Sequence, residues 1–374
     1  MDSFRLFIRD AAMFLLPLVL VLVGSIYMLV RLGEFTKNET ILTWHADGVS
    51  YRYGKNYIPS PTEVKDEILR AYPPDVIVIG DSRSSQFRKE FFKDEYRFFA
   101  WPQVGSVDDL HLYFDEFITD TTTAPDLVVL VVDHFFLLDR GIADRRRLAG
   151  DGIGKPRWLQ IFSRVIGDMA TGKLPLRIFA QDQVPYHAGA QAVINGVGFR
   201  NDGSLDYGNV KPNFEHEDHE DYQFKYYLRL TERGIGNLKQ GDTPSDEALQ
   251  VFEAFLQRAR ESNIHVVVIL PPFAPTIYRE MQRPENHYGY IPKAAARVAS
   301  LTKKYGHAFG DFTNPEILSL PDTSFFDGIH QGEAANARIL LEIARTDTTL
   351  ATYLDEERLN DHLRDLGDAR YLFP

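Results

Sequence analysis

Asp75-Val76-Ile77-Val78-Ile79-Gly80-Asp81-Ser82 is the stretch on which the reading of this chain turns. Val76 to Ile79 form a continuous apolar, β-branched run without polar alternation, which predicts a short strand buried on both faces, as inside a parallel sheet. The run stops at Gly80, and Ser82 follows where open α/β sheets place ligands, beyond the carboxyl ends of their strands. Further strands are expected at Phe98–Trp101, at Leu127–Val132, at Val266–Leu270 ahead of Pro271-Pro272, and near Phe309. Leu110, Tyr113, Phe114, Phe117 and Ile118 recur at helical spacing over 107–119, with Asp108 and Asp109 placed to cap the start. Helices are also expected over 246–261, over 291–304 and from Gly332. Strands alternating with amphipathic helices predict a three-layer α/β sandwich built on a mostly parallel sheet.

Upstream, Ala11 to Val30 reads AAMFLLPLVLVLVGSIYMLV without a charge. As a helix it covers roughly 30 Å, the thickness of a bilayer's hydrocarbon core. A cleaved signal peptide competes with a retained anchor. The run exceeds the usual apolar length of a leader, and no small-x-small site follows it cleanly, which favours the anchor. Arg5 and Arg9 precede it and Arg31 and Lys37 follow, so charge bias fixes orientation weakly. The expected organisation is a cytoplasmic tail (1–10), an anchor in a bacterial inner membrane (11–31), a polar lead (32–70), an α/β domain (71–346) with an insertion at about 139–245, and a charged helical tail (347–374). Everything after the anchor is expected in the periplasm or outside the cell.

Composition sets limits on the chemistry. Forty-four per cent of the 374 residues are hydrophobic and 13% aromatic, enough for a large core. Lys and Arg number 41 against 53 Asp and Glu, a net charge of −12, and the short run Arg145-Arg146-Arg147 does not offset it. Nucleic acid is therefore not an expected partner. The absence of cysteine removes disulfides, thiolate nucleophiles and cysteine-ligated metals.

Two segments carry candidate chemistry. Taken alone, Gly80-Asp81-Ser82 reads first as a turn in which Ser82 caps a following helix, and then as a nucleophile at the mouth of that helix. Phe325-Phe326-Asp327-Gly328-Ile329-His330 precedes the last core helix. An Asp and a His three residues apart let the carboxylate hold one imidazole nitrogen while the other takes a proton from a hydroxyl. An ordinary surface turn also fits this segment.

Together the two segments resemble the SGNH (GDSL-type) hydrolase superfamily over roughly residues 71–346. The resemblance implies Ser82 as nucleophile, His330 as general base and Asp327 as its orienting partner. It also implies oxyanion donation by the amides of Ser82 and Gly105, the latter within Val104-Gly105-Ser106; Gly105 as a plain turn glycine stays open. The family's Gly-x-Asn-Asp block is not matched: the third strand runs into Asp133-His134-Phe135. An ionised Asp133 cannot donate a hydrogen bond and repels developing negative charge. Either His134 or Arg83 then takes over the donor role, or activity is modest, or another group enters from the insertion; Arg83, Asp133 and His134 are the expected substrate or oxyanion contacts of this block. The N-terminal span, the altered block and the Pro-Pro strand end resemble a membrane-anchored subgroup, which includes the teichoic-acid D-alanylation protein and the alginate O-acetylation proteins.

That subgroup implies serine-based acyl transfer, with O-acetylation or deacetylation of a cell-envelope or extracellular polysaccharide, and a multi-pass membrane O-acyltransferase as partner. A generic esterase or lipase and a non-enzymatic polymer-binding scaffold are the rival readings. No metal or organic cofactor is expected. Glu215-His216-Glu217-Asp218-His219-Glu220-Asp221 reads as a solvated loop before it reads as a metal site. The aromatics of the insertion (Tyr207, Phe214, Tyr222, Phe224, Tyr226, Tyr227) fit core packing before sugar stacking.

Overall fold

The structure, a computed structural model, describes residues 2–54, 61–118, 124–138, 185–208 and 212–373, with isolated positions between 163 and 171. The Arg145-Arg146-Arg147 run and much of 139–184 lie outside the described residues. The chain divides into two compact units: Met1–Val64 with Ala149–Asn201 and Asp206–Asn209, and Lys65–Leu148 with Asp202–Leu205 and Val210–Pro374. The described strands are β1 (Arg52–Tyr53), β2 (Val76–Ile79), β3 (Phe98–Trp101), β4 (Leu127–Val131), β5 (His187–Ala188), β6 (Gly198–Arg200), β7 (Leu205–Asp206), β8 (His265–Leu270) and β9 (Ala308–Asp311).

In the second unit the strands pair in the order β3-β2-β4-β8-β9, every pair parallel. Val76 stands opposite Phe98 on one side and Leu127 on the other. All residues of β2, β3 and β4 are buried, as their unbroken apolar runs require. Successive side chains leave opposite faces of the sheet. On one face Val76, Val78, Val129, Val131, Val267 and Ile269 pack with Ala337, Leu340 and Ile343 of the helix Glu333–Ala344. Leu350, Leu354 and Leu359 extend the same cluster, so the charged C-terminal segment joins this core as the helices Thr348–Tyr353 and Glu356–Leu366. Helices Asp109–Phe117, Asp246–Glu261 and Tyr290–Lys304 serve the other face, where Phe114 meets Phe255 edge-on at 5.2 Å and Trp101 lies 5.6 Å from Tyr113. Each large side chain removed from water in this way contributes about 1.5–3 kcal/mol before entropy is counted.

The strand order fixes where a ligand belongs. From β2 the chain steps to β3 on one side, then returns past β2 to β4 and continues to β8 and β9 on the other. The reversal opens a crevice at the carboxyl ends of β2 and β4, the expected ligand position in such sheets. Ser82 follows β2 and Asp133 follows β4.

In the first unit a single helix, Asp2–Arg31, begins earlier than the apolar run suggests, because nothing in the segment with Arg5, Arg9 and Asp10 breaks helical geometry. Phe4–Arg31 spans 28 residues at a mean hydropathy of 2.6 over its most apolar part, long and apolar enough to cross a membrane. Its C-terminal end behaves differently from its middle: Ser25, Met28 and Leu29 are buried, as is Leu32 just after the helix, whereas Phe14 is 81% exposed. Just beyond, Gly33 takes φ +70, and a Cβ there would lie 3.0 Å from the His187 carbonyl oxygen. The Glu34 carboxylate accepts the Ala190 N–H at 2.6 Å. β1 pairs parallel with β5 and antiparallel with β6. Within 32–70, residues Asn38–Ala46 and Pro61–Ala71 are helical.

Candidate active site

Gly80 ends β2 under tight steric control. A Cβ at this position would lie 2.8 Å from the Val131 carbonyl oxygen and 2.9 Å from Ser84 Cβ, so only glycine lets the chain turn this close to β4. Asp81 then caps the turn, its carboxylate accepting the Arg83 N–H at 2.9 Å. The chain continues as a 3-10 turn, Ser82–Ser84, and not as the longer helix the motif suggests. Serines compete for backbone hydrogen bonds and favour turns, so the oriented-dipole contribution expected from a helix is small here.

Ser82 is exposed, and its Oγ lies 2.7 Å from His330 Nε2 although 248 residues separate them in sequence. His330 Nδ1 lies 2.7 Å from Asp327 Oδ2. The Asp327 side chain is 18% exposed and that of His330 16%. The turn carrying both is closed on itself: Asp327 Oδ1 accepts the N–H groups of Ile329 and His330 at 2.9 Å each, and Phe326 N–H donates to the His330 carbonyl at 2.8 Å. With Asp327 ionised, Nδ1 carries the imidazole proton and Nε2 is left to receive the serine proton.

The electrostatics favour that assignment. Burial opposes ionisation of Asp327, but the His330 charge, its hydrogen bond and the two backbone donors hold the carboxyl down at about 2. For His330, burial pulls the pKa down, and the charge and hydrogen bond of Asp327, with Asp81 behind them, more than restore it; the net direction is upward. Asp81 itself is pushed up to about 7 by burial and by the neighbouring Asp133 charge, against the pull of Arg83.

A side-chain clamp joins the two motif segments. Gln331, 1% exposed, donates through Nε2 to the Arg83 carbonyl at 3.2 Å and to Asn336 Oδ1 at 3.0 Å. The turn with Ser82 and the turn with His330 are thereby held in register, the residue after His330 bonding to the carbonyl of the residue after Ser82.

The structure places Arg83, Asp133 and His134 below the surface, each 1% exposed. Arg83 Nη1 is 3.6 Å from Asp133 Oδ1, its guanidinium lies 4.8 Å over the Phe273 ring, and Nη2 donates to the Pro272 carbonyl. His134 Nε2 is 2.7 Å from Thr313 Oγ1, which donates in turn to Asp311 Oδ1 at 2.5 Å. Since the Thr313 proton is committed to Asp311, His134 is the donor to Thr313. Burial, with Arg83 beside it, pushes the His134 pKa well below the ordinary value, leaving a neutral ring. These side chains brace the ends of β2, β4, β8 and β9, and Arg83 and His134, expected as oxyanion donors, are both buried there. The Asp133 charge is offset by Arg83.

Gly105 is held within its own loop. Its N–H donates to Asp109 Oδ2 at 2.7 Å, and the Ser106 N–H shares the same oxygen at 2.9 Å. Asp108 occupies the cap position but makes no side-chain cap bond. Asp109 thus ties down the loop after β3, and the Gly105 amide must release this carboxylate before it can serve an oxyanion. Among the described residues the Ser82 N–H has no acceptor.

Sequence reasoning missed four polar residues of the site: Asp81 as a charged neighbour of His330, Asp109 on the loop amides, Gln331 as the clamp, and Tyr227, whose hydroxyl donates to Asp327 Oδ2 at 3.1 Å. Gln331 and Asp81 adjoin motif residues, which was the available signal; Tyr227 carried none. In the acidic loop, Glu215 pairs with Arg370 at 2.8 Å and His219 Nδ1 accepts the Asp221 N–H at 3.1 Å. A cavity of about 420 Å³ is lined by Tyr278, Met281, Arg283, Ile291, Asp311 and Thr313, among others.

No family model and no curated protein matches this chain. Among solved structures, an acetyl xylan esterase is similar at a TM-score of 0.33 and 13% identity, over 72% of this chain and 98% of that one.

Proposed function

We propose that the chain is a serine-dependent acyl-transfer enzyme of SGNH type that adds or removes O-acetyl groups on a cell-envelope or extracellular polysaccharide. The observation that carries the reading is the pair of 2.7 Å contacts linking Ser82 Oγ, the His330 ring and Asp327 Oδ2, with the serine open to solvent. Ser82 attacks an ester carbonyl while His330 Nε2 takes the hydroxyl proton. The tetrahedral oxyanion collapses, the alkoxide leaves with the proton from His330, and an acyl-serine remains. A carbohydrate hydroxyl or water then attacks the acyl group by the same route in reverse. The Ser82 amide is the available oxyanion donor, and a shift of Asp109 would add that of Gly105.

The anchor reading is supported by the buried end of the N-terminal helix. Ser25, Met28 and Leu29 are at most 3% exposed, so removing the helix as a leader would strip side chains from a folded unit. We place the remainder of the chain on the extracytoplasmic side, beside a membrane O-acyltransferase that supplies acyl groups.

The test is turnover of p-nitrophenyl acetate by the full chain in detergent, with and without an added oligosaccharide. The proposal expects acetate release that disappears in Ser82→Ala, and acetylated sugar detected by mass spectrometry. Release unaffected by sugar points to a plain esterase, and activity surviving Ser82→Ala rejects the serine mechanism.

A further inference from the structure

The carboxylate that orients His330 is itself held by a residue remote from both motifs. Tyr227 stands on the helix Lys225–Arg233, and its hydroxyl reaches Asp327 Oδ2, the oxygen that also receives His330 Nδ1. Its placement is built by several independent features. Gln223 and Phe224 adopt φ +56 and +61, turning the chain sharply into the helix. Asp221 Oδ1 accepts the N–H groups of Tyr226 and Tyr227 at 3.2 and 3.3 Å and so fixes the first helical turn. Gly328 supplies the space: a Cβ there would lie 2.6 Å from Tyr227 Cγ and 2.7 Å from Tyr227 Cβ. The glycine between Asp327 and His330 therefore has a function beyond the turn, since it lets a phenol ring lie against the catalytic segment.

We infer that Tyr227 is a positioning residue of the Ser82–His330–Asp327 centre, acting through Asp327; this rests on the acyl-transfer reading of that centre. Two backbone N–H groups hold Asp327 Oδ1, while His330 and Tyr227 share Oδ2. Four donors in fixed directions prevent the carboxylate from rotating away from the imidazole. The phenol also directs the positive end of its O–H dipole at Asp327, tempering the attraction that the carboxylate exerts on an imidazolium. The general base is thus aligned without being made too reluctant to release its proton. The other charged groups acting on this pair are Asp81 and Arg83 on His330, and Asp221 close to Asp327.

Tyr227→Phe in the full chain separates positioning from packing, because the ring stays against Gly328 and only the hydroxyl is lost. Two readouts are taken: kcat and KM for p-nitrophenyl acetate across pH, and the titration of the His330 ring by NMR of histidine-labelled protein without substrate. Positioning predicts a fall in kcat of roughly ten- to a hundredfold at unchanged KM, from loss of one hydrogen bond to a charged group. It also predicts that the His330 titration moves up by roughly half a unit, with a single cooperative unfolding transition kept and only a small fall in melting temperature. An unmoved titration together with wild-type kcat would leave Tyr227 as ring packing only and overturn the inference. A moved titration in a protein whose ester turnover does not need Ser82 would retire the acyl-transfer reading and leave the Tyr227–Asp327 coupling standing.

Discussion

Replacing Gly80 with alanine is a quantitative probe of how β2 delivers the serine. The added methyl would sit 2.8 Å from the Val131 carbonyl oxygen, 2.9 Å from Ser84 Cβ and 3.0 Å from Val131 Cβ. Ordinary contacts of this kind are about 3.5–4 Å, so relief requires movement of about half an ångström or more. None of the three atoms lies at the end of a flexible side chain. Val131 is fixed by the β4–β8 ladder, so the Gly80–Ser82 turn must move instead. Overpacking of this type costs about 1–3 kcal/mol. A shift of half an ångström stretches the 2.7 Å contact between Ser82 and His330 to the edge of hydrogen bonding. On the scale of about a hundredfold in rate per ångström of misplacement, kcat should fall roughly tenfold. The assay pairs thermal unfolding of the full chain in detergent with ester turnover. Gly24→Ala is the control, since nothing lies within 4 Å of a Cβ there. Wild-type stability and wild-type kcat in Gly80→Ala would refute the steric account of the turn.

Asp327→Asn should preserve the turn, because an amide oxygen still accepts the Ile329 and His330 N–H groups, but lower kcat by about three to four orders of magnitude by favouring the wrong imidazole tautomer; steady-state kinetics with circular dichroism checks both halves. Folding raises the His330 pKa above 6.5, so the pair's contribution to stability is full below pH 6.5 and is lost as pH rises through the folded value. Activity, which needs the neutral ring, should rise over that same interval, and a pH–rate limb centred below 6.5 would contradict the assignment. Asp327, held at about 2 against an ordinary 3.8, adds stability above pH 3.8 that disappears as pH falls toward 2, which acid unfolding of Asp327→Asn beside the parent will show. Arg88, 3% exposed, contacts Glu333 at 2.7 Å, Glu90 at 3.1 Å and Asp202 at 3.4 Å, so Arg88→Met should cost about 3–5 kcal/mol in chemical denaturation by leaving buried carboxylates uncompensated.

The parallel sheet was legible because burial on both faces demands unbroken β-branched runs. Val76–Ile79, Leu127–Val131 and His265–Leu270 announce themselves, and the helix Asp246–Glu261 follows its apolar spacing from end to end. Ser82, Asp327 and His330 were legible for a related reason: chemistry ties their types to the ends of particular elements. The supporting polar contacts were not. Whether an amide such as that of Gly105 is free depends on one carboxylate four residues away choosing a backbone partner over solvent. The burial of Arg83 and His134 was not legible either, because it follows from pairing that periodicity does not encode. Tyr227 is 100 residues from Asp327, in a stretch without a strand–helix rhythm, and only the folded chain shows that Gly328 was keeping space for it.

The most direct measurement of the central claim is mass spectrometry of the full chain after reaction with a fluorophosphonate, which captures a serine only when an adjacent base activates it. The account predicts a single adduct, on Ser82, that forms far more slowly in His330→Ala and in Asp327→Asn. Absence of an adduct on Ser82, or labelling that proceeds equally fast without His330, would contradict it.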